Sequence, residues 1–419
     1  WCPPREGTPL RAARLAGPAA AAGGGRVGAG GGAREMARAP AAVLLRALAA
    51  LGLLGARASQ ETRVLLLRHC PRAPYPADRH PPLAPNNYTH LDDFSAQPFP
   101  SSAKWGATAG MCTPNNYTHL DDFSAQPFPS SAKWGASAGM CTPNGLKLAT
   151  FMGEMLLTVL GSRQIEAIAD DVQRCEDSAV ALGLTKHVHV DQALFDPLSA
   201  KVSGCAQPDW EGTVTAEVEQ ARDKLGSARS LLPRLQEILG KGVAPPLSDI
   251  PDVVADGYFV GGIRAASESI IETFKLEKTS FMPMAWGKLS DAEFRKLYTV
   301  RRTYFEVMYG GRDIAQRYAS GILAKLLAVA ALPPATVLVG HDIQLEAVHT
   351  LLGISWQCGP FATNSTPPLS GIMFTLAENS VKVQSVCPSL QDSSPVVVGG
   401  MLRLQTAGAS CRRLTFQLC

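Results

Sequence analysis

Three short runs along the chain are largely apolar and then break abruptly into charge. Val64-Leu65-Leu66-Leu67 runs into Arg68-His69-Cys70. Ile165-Glu166-Ala167-Ile168-Ala169 runs into Asp170-Asp171 and Arg174. Val337-Leu338-Val339 runs into Gly340-His341-Asp342. Such runs suit strands buried on both faces. Between and after them the apolar spacing turns helical. Residues 145–160 place Leu148, Phe151, Met152 and Met155 on one side, 176–182 continue the second strand, and 344–352 follow the third. Strand and helix alternating in this way predict an α/β fold, a mostly parallel sheet flanked by helices. A different texture fills the middle. Residues 215–239 are charged and helical in period, 262–276 and 291–308 also read as helices, and Pro245-Pro246 and Pro251 mark loops. The expected organisation is a sheet domain over 59–200 and 301–419, with a smaller all-α domain inserted at 201–300.

The N-terminal part follows other rules. Residues 1–35 are mostly Gly, Ala, Pro and Arg and carry too little apolar bulk to fold. They read as disordered or as untranslated sequence. From Met36 the pattern is a basic start at Arg38, an apolar run from Ala41 to Gly55, and Ala56-Arg57-Ala58. That is the layout of a secretory signal peptide over 36–58. A membrane anchor is the competing reading, but the run is short for a span and Arg46 breaks it. Residues 86–114 and 115–143 are a tandem duplication of 29 residues with one change, Thr108 against Ser137. Rich in Pro, Ser, Asn and Gly, each copy is expected to be an irregular excursion, one of them bulging as a surface loop.

Composition narrows the class. The chain has 419 residues, 46% hydrophobic and 18% charged, with a net charge of +3. That balance argues against a nucleic-acid binder, so any anion site must be local. Ten cysteines, nine of them after residue 58, include no CxxC pair. They read as disulfide candidates in an oxidising compartment, with Cys411 and Cys419 near enough in sequence to close a small loop. Sequons at Asn87, Asn116 and Asn364 suit the same secreted or lumenal route.

In open parallel sheets, ligands bind beyond the carboxyl ends of the strands. The three runs would deliver Arg68, His69, Arg72, Arg174, His341 and Asp342 to that edge. Guanidinium forks suit phosphate oxygens, imidazole is a nucleophile near neutral pH, and a nearby carboxyl group can protonate a leaving alcohol. The set reads as phosphoryl transfer with no metal and no cofactor.

Six segments, in order, resemble the histidine acid phosphatases. RHCPRAP at 68–74 resembles the RHGxRxP signature, and GHDIQLEAV at 340–348 resembles the HD motif. CTPNGLKLATFMGEML at 141–156 is similar to the TPxG helix start. AIADDVQRCEDSAVALGL at 167–184 resembles the segment with a further phosphate-binding arginine. LFDPLSAKVSGC at 194–205 resembles bacterial periplasmic phytases and glucose-1-phosphatases, and NSTPPLSGIMF at 364–374 the strand after the HD motif. The resemblance implies that His69 attacks phosphorus to form phosphohistidine and Asp342 protonates the leaving oxygen. It implies that Arg68, Arg72, Arg174 and His341 hold the phosphoryl oxygens, with Glu272 facing the pocket. The implied partner is a small-molecule phosphate monoester, under an acidic optimum.

Two departures stand out. Cys70 replaces the family glycine, placing a side chain and an oxidisable thiol beside His69, and Ile343-Gln344 follow the HD pair. Tyr75-Pro76 stand where phytases tend to carry a lysine, which weakens the case for inositol hexakisphosphate. An inactive secreted relative that binds phosphorylated ligands, or a narrower phytase or sugar phosphatase, are the alternative readings. The HCx5R loop of cysteine phosphatases fails because Pro76 stands where its arginine belongs. Phosphate-loop and zinc-helix motifs are missing from the sequence.

Overall fold

The computed structural model describes residues 62–74, 120–161, 165–184, 187–198, 200, 209–242, 244–255, 257–329, 335–359, 361–377 and 380–388. The 1–35 segment, the expected leader, the first repeat copy, Cys205 and the Cys411–Cys419 pair lie outside them. Eight strands occur among the described residues. They are β1 (Thr62–Arg68), β2 (Ile165–Ala169), β3 (Val188–Val190), β4 (Val253–Ala255), β5 (Tyr258–Val260), β6 (Ala335–Gly340), β7 (Gly371–Ala377) and β8 (Ser380–Val386). Six form one sheet in the order β3-β2-β6-β1-β7-β8. The first four in that order run parallel, while β7 and β8 add an antiparallel edge. The three apolar runs are therefore the three central parallel strands.

Their sequences suit that place. Val64 and Leu66 of β1 join one apolar cluster, and Leu65 and Leu67 join another on the opposite face. The second cluster is closed by α1 (Pro143–Leu160) and α2 (Gln173–Ala181). α1 begins where Thr142 accepts a hydrogen bond from Gly145 N at 2.9 Å, with Pro143 in the first turn, both common helix-start features. Its buried stripe is Leu148, Met152, Leu156 and Leu160, whereas Phe151 is exposed and Met155 half-buried. Leu148 and Met152 fall on it as expected, while Phe151 and Met155 do not, because the stripe follows i, i+4 spacing from Leu148.

The segment expected to be helical in period over 215–239 forms three helices: α3 (Trp210–Gln220), α4 (Arg222–Arg229) and α5 (Leu232–Leu239). Pro233 sits in the first turn of α5, where its missing N–H costs nothing, whereas mid-helix it would break the ladder. Next, just past the loop marked by Pro251, β4 and β5 form a short antiparallel ribbon. Then α6 (Gly262–Arg264) passes into a π-helical stretch, Ala265–Ile271, and α7 (Glu272–Thr279). Finally come α8 (Asp291–Tyr309), α9 (Arg312–Val329) and α10 (Asp342–Leu352). Leu232, Ile270, Phe274, Phe294 and Leu345 share the first apolar cluster with Val64, Leu66 and Leu338 of the sheet.

The second repeat copy is more than a surface excursion. From Leu120 onward it buries Phe123 and Trp134 and supplies both Cys141 and the α1 cap Thr142. Its apolar side chains explain this better than its turn residues did. No described helix is long and apolar enough to cross a membrane.

Candidate active site

Strand register assembles the site. β1 and β6 pair so that Arg68 lies beside Gly340, and β2 pairs Ala169 with Val339. The next residues along each chain, His69, His341 and Asp170, therefore leave the same edge. α2 begins just after Asp170 and carries Arg174. All seven residues singled out in the sequence come together. The His69 and His341 rings lie 5.1 Å apart in a T-shaped contact. Arg174 Nη2 is 2.6 Å from His341 Nε2. Glu272 Oε1 accepts from Arg68 at 3.1 Å and lies 3.8 Å from Arg72 Nη2. Arg68 Nη2 is also 3.1 Å from Asp342 Oδ2. His187 and His189 are exposed.

Hydrogen-bond partners fix both histidine tautomers. His69 Nδ1 lies 2.7 Å from the Cys70 carbonyl oxygen. A carbonyl only accepts, so Nδ1 carries the proton and Nε2 keeps its lone pair. A guanidinium only donates, so His341 Nε2 accepts from Arg174, and His341 Nδ1–H donates to Asp170 Oδ2 at 3.0 Å. Burial, then the positive charge of Arg174, pushes the pKa of His69 well below 6.5. The same two causes lower His341, against the opposing pull of Asp170. Both rings are neutral bases over the physiological range.

Behind the histidines lies a buried lattice of charges. Glu272 Oε2 lies 2.9 Å from Arg301 Nη2 and also pairs with Lys275. Arg301 Nη2 lies 2.9 Å from Asp342 Oδ2, and its Nη1 lies 3.2 Å from Glu268 Oε1. Burial raises both carboxylates, but the cations outweigh it. Arg301, Lys275, Arg68 and Arg72 hold Glu272 well below its usual range. Arg68, Lys275 and Arg301 hold Asp342 at about 2. In the free site Asp342 is thus ionised, whereas the resemblance implied a carboxyl poised with its proton. The cause is the number of surrounding cations, which the HD motif by itself does not reveal.

Arg301, Lys275, Glu268 and Asp170 were not singled out in the sequence. Arg301 left a signal: it falls on the apolar stripe of α8, in step with Phe294, Leu297, Tyr298 and Phe305. A charge on a buried stripe needs a buried partner. Glu268, Glu272 and Lys275 follow i, i+4, i+7 spacing around the apolar Ile270, Ile271 and Phe274, the matching signal. Glu268 sits in the π-helical stretch, a feature frequent at functional sites.

The two departures in the motifs resolve in physical terms. Cys70 is not a free thiol: it is disulfide-bonded to Cys141, with Cα atoms 5.8 Å apart. Its side chain belongs to the apolar layer beneath the strand, together with Leu65 and Leu67. The described free cysteine is Cys175, buried beside His341, with its thiol pKa pushed up by burial. Gln344 caps α10, its Oε1 accepting from His341 N at 2.8 Å and its Nε2 donating to Phe195 O at 2.9 Å.

The fold is that of phytases of known structure. Among solved structures, the chain is similar to the phytase of Klebsiella sp ASR1, with 20% identity and a TM-score of 0.60, over 84% of this chain and 89% of that one. It is similar to Hafnia alvei phytase in complex with tartrate, with 19% identity and a TM-score of 0.61, over 82% and 90%. The phytase from Citrobacter braakii gives 19% and 0.60, over 80% and 87%. No protein-family model matches the chain, and no curated protein sequence matches it.

Proposed function

We propose that this protein hydrolyses phosphate monoesters through a phosphohistidine formed at His69, without a metal. The observation that carries the reading is the His69 tautomer. Its Nε2 keeps its lone pair, and Arg174, Arg68 and Arg72 lie near enough to depress the ring's basicity. That is a nucleophile facing an anion-binding edge. The phosphoryl oxygens take Arg68, Arg72, Arg174 and His341. Nε2 attacks phosphorus, the P–O ester bond breaks, and the alcohol leaves with a proton. Water then attacks phosphorus, the N–P bond breaks, and inorganic phosphate departs. Asp342 donates the leaving-group proton once a bound phosphoryl group has drawn Arg68 away from it and so raised its pKa.

The test is p-nitrophenyl phosphate hydrolysis at mildly acidic pH, with and without chelator. Chelator-insensitive turnover is expected, together with a loss of about a thousandfold or more in His69→Ala. An alkaline quench during turnover of a labelled ester should trap label on His69. Label elsewhere, or undiminished turnover in His69→Ala, would overturn the proposal. A phosphate-binding protein without catalysis is the second reading, favoured by the ionised Asp342. It expects no turnover from a folded protein that still binds inorganic phosphate.

A further inference from the structure

α8 and α10 each carry two charged residues toward the other. On α10, Asp342 and Glu346 are four residues apart and so share a face one turn from each other. On α8, Arg301 and Arg302 are adjacent and diverge around the helix. Arg301 meets Asp342 at 2.9 Å, inside the site. Arg302 meets Glu346 through both guanidinium nitrogens, Nη2 to Oε1 at 2.7 Å and Nη1 to Oε2. The second pair lies one turn behind the first. The Glu346 side chain is 1% exposed and that of Arg302 11%, so the pair is screened little by solvent. A bidentate guanidinium–carboxylate contact fixes angle as well as distance. Arg302 Nη2 also reaches Glu306, one turn along α8, at 3.4 Å, and Arg301 lies over the Phe305 ring at 4.2 Å.

We propose that Arg302 and Glu346 are positioning residues, which lock the register of α8 against α10 and so aim Asp342 at the leaving-group oxygen. The inference rests on the phosphatase reading above. Neither residue belongs to the cluster around His69, so both act through Asp342 and Arg301. A slip of α10 would leave the strand-end residues Arg68 and His69 in place while moving the carboxylate at its first turn.

The leaving group separates positioning from general structural support. p-Nitrophenolate departs readily without a proton, whereas an alkoxide needs one. In Glu346→Gln, kcat for an alkyl phosphate such as glycerol 2-phosphate should fall about tenfold or more, while kcat for p-nitrophenyl phosphate changes less than about twofold. KM for both esters, and inhibition by inorganic phosphate, should stay near wild type. Arg302→Lys keeps the charge but loses the fork, and should give an intermediate ratio. The double variant Arg302→Glu with Glu346→Arg restores the pair in reverse, and should recover the ratio at least in part. Equal losses with both esters, or an unchanged alkyl-to-aryl ratio in folded Glu346→Gln and Arg302→Lys proteins, would overturn the proposal. If Glu346→Gln does not fold, the Arg302→Lys ratio decides. Absence of His69-dependent turnover in the wild type would instead sink the phosphatase reading itself.

Discussion

At the residue scale, the site works by opposing burial with charge. His69 is neutral because burial and Arg174 disfavour its protonated ring. The acid limb of kcat/KM in the free enzyme therefore falls well below pH 6.5, where an ordinary histidine would place it. Arg174→Gln removes one positive neighbour, so the His69 pKa rises and the acid limb moves to higher pH. A pH profile of kcat/KM checks both the position and the sign. The same shift bears on stability. The folded pKa of His69 lies below its unfolded value, so its contribution is complete above about pH 6.5 and is lost as pH falls through the range beneath. His341 and His349 are lowered in the same direction, also mainly by burial. Thermal melts should weaken from about pH 7 to about pH 5, and less steeply in His69→Ala than in wild type. An equal slope in the two proteins would contradict the assignment. Residue reading picked out six groups that the structure brings to one edge, because their motifs carry them. It missed Arg301 and Lys275 because a lone basic residue in a helix reads as a solvated face until its partner helix is known.

At the element scale, close approach decides what the helices tolerate. α1 packs against the end of α2 at Gly153, where an added Cβ would meet the Leu182 carbonyl oxygen at 1.7 Å. Gly153→Ala should therefore destabilise the protein by about 2 kcal/mol or more, read as a fall in melting temperature, despite the better helix propensity of alanine. Gly145 makes the same kind of contact with the Pro71 carbonyl, at 2.3 Å, and so brings the start of α1 against the loop that carries His69. Thr142→Ala should cost about 1 kcal/mol in chemical unfolding through loss of the cap. Periodicity located β1, β2, β6, α1, α2 and α10, because each is strongly patterned and either buried on both faces or amphipathic. It merged α3, α4 and α5, since a helix-like period continues across their breaks. It passed over β3, β4, β5 and β8, since short or edge strands are chosen by their neighbours more than by their own residues.

For the whole molecule, the Cys70–Cys141 bond closes a loop with a sequence separation of 71 residues that contains the first repeat copy. On the chain-entropy account, such a closure stabilises by about 4 kcal/mol. Cys141→Ala should lower the denaturation midpoint accordingly, and a mild reductant should lower it further in wild type than in the variant, which keeps only the Cys358–Cys387 bond among the described pairs. Loop closure depends only weakly on length, so deletion of residues 86–114 should change stability by only about 0.5 kcal/mol. Turnover should persist after that deletion, because Phe123, Trp134, Cys141 and Thr142 all come from the second copy. Loss of folding on the deletion would show that the first copy is integral. The sequence by itself determined the central strands, the flanking helices and the residues at the strand ends, since burial on two faces and ligand chemistry both act locally and leave a pattern. Only the tertiary structure decided that Cys70 is bonded rather than free, that Asp342 sits ionised among Arg68, Lys275 and Arg301, and that Arg302 grips Glu346. Each depends on groups far apart in sequence whose Coulomb and packing energies exist only once the chain has brought them together.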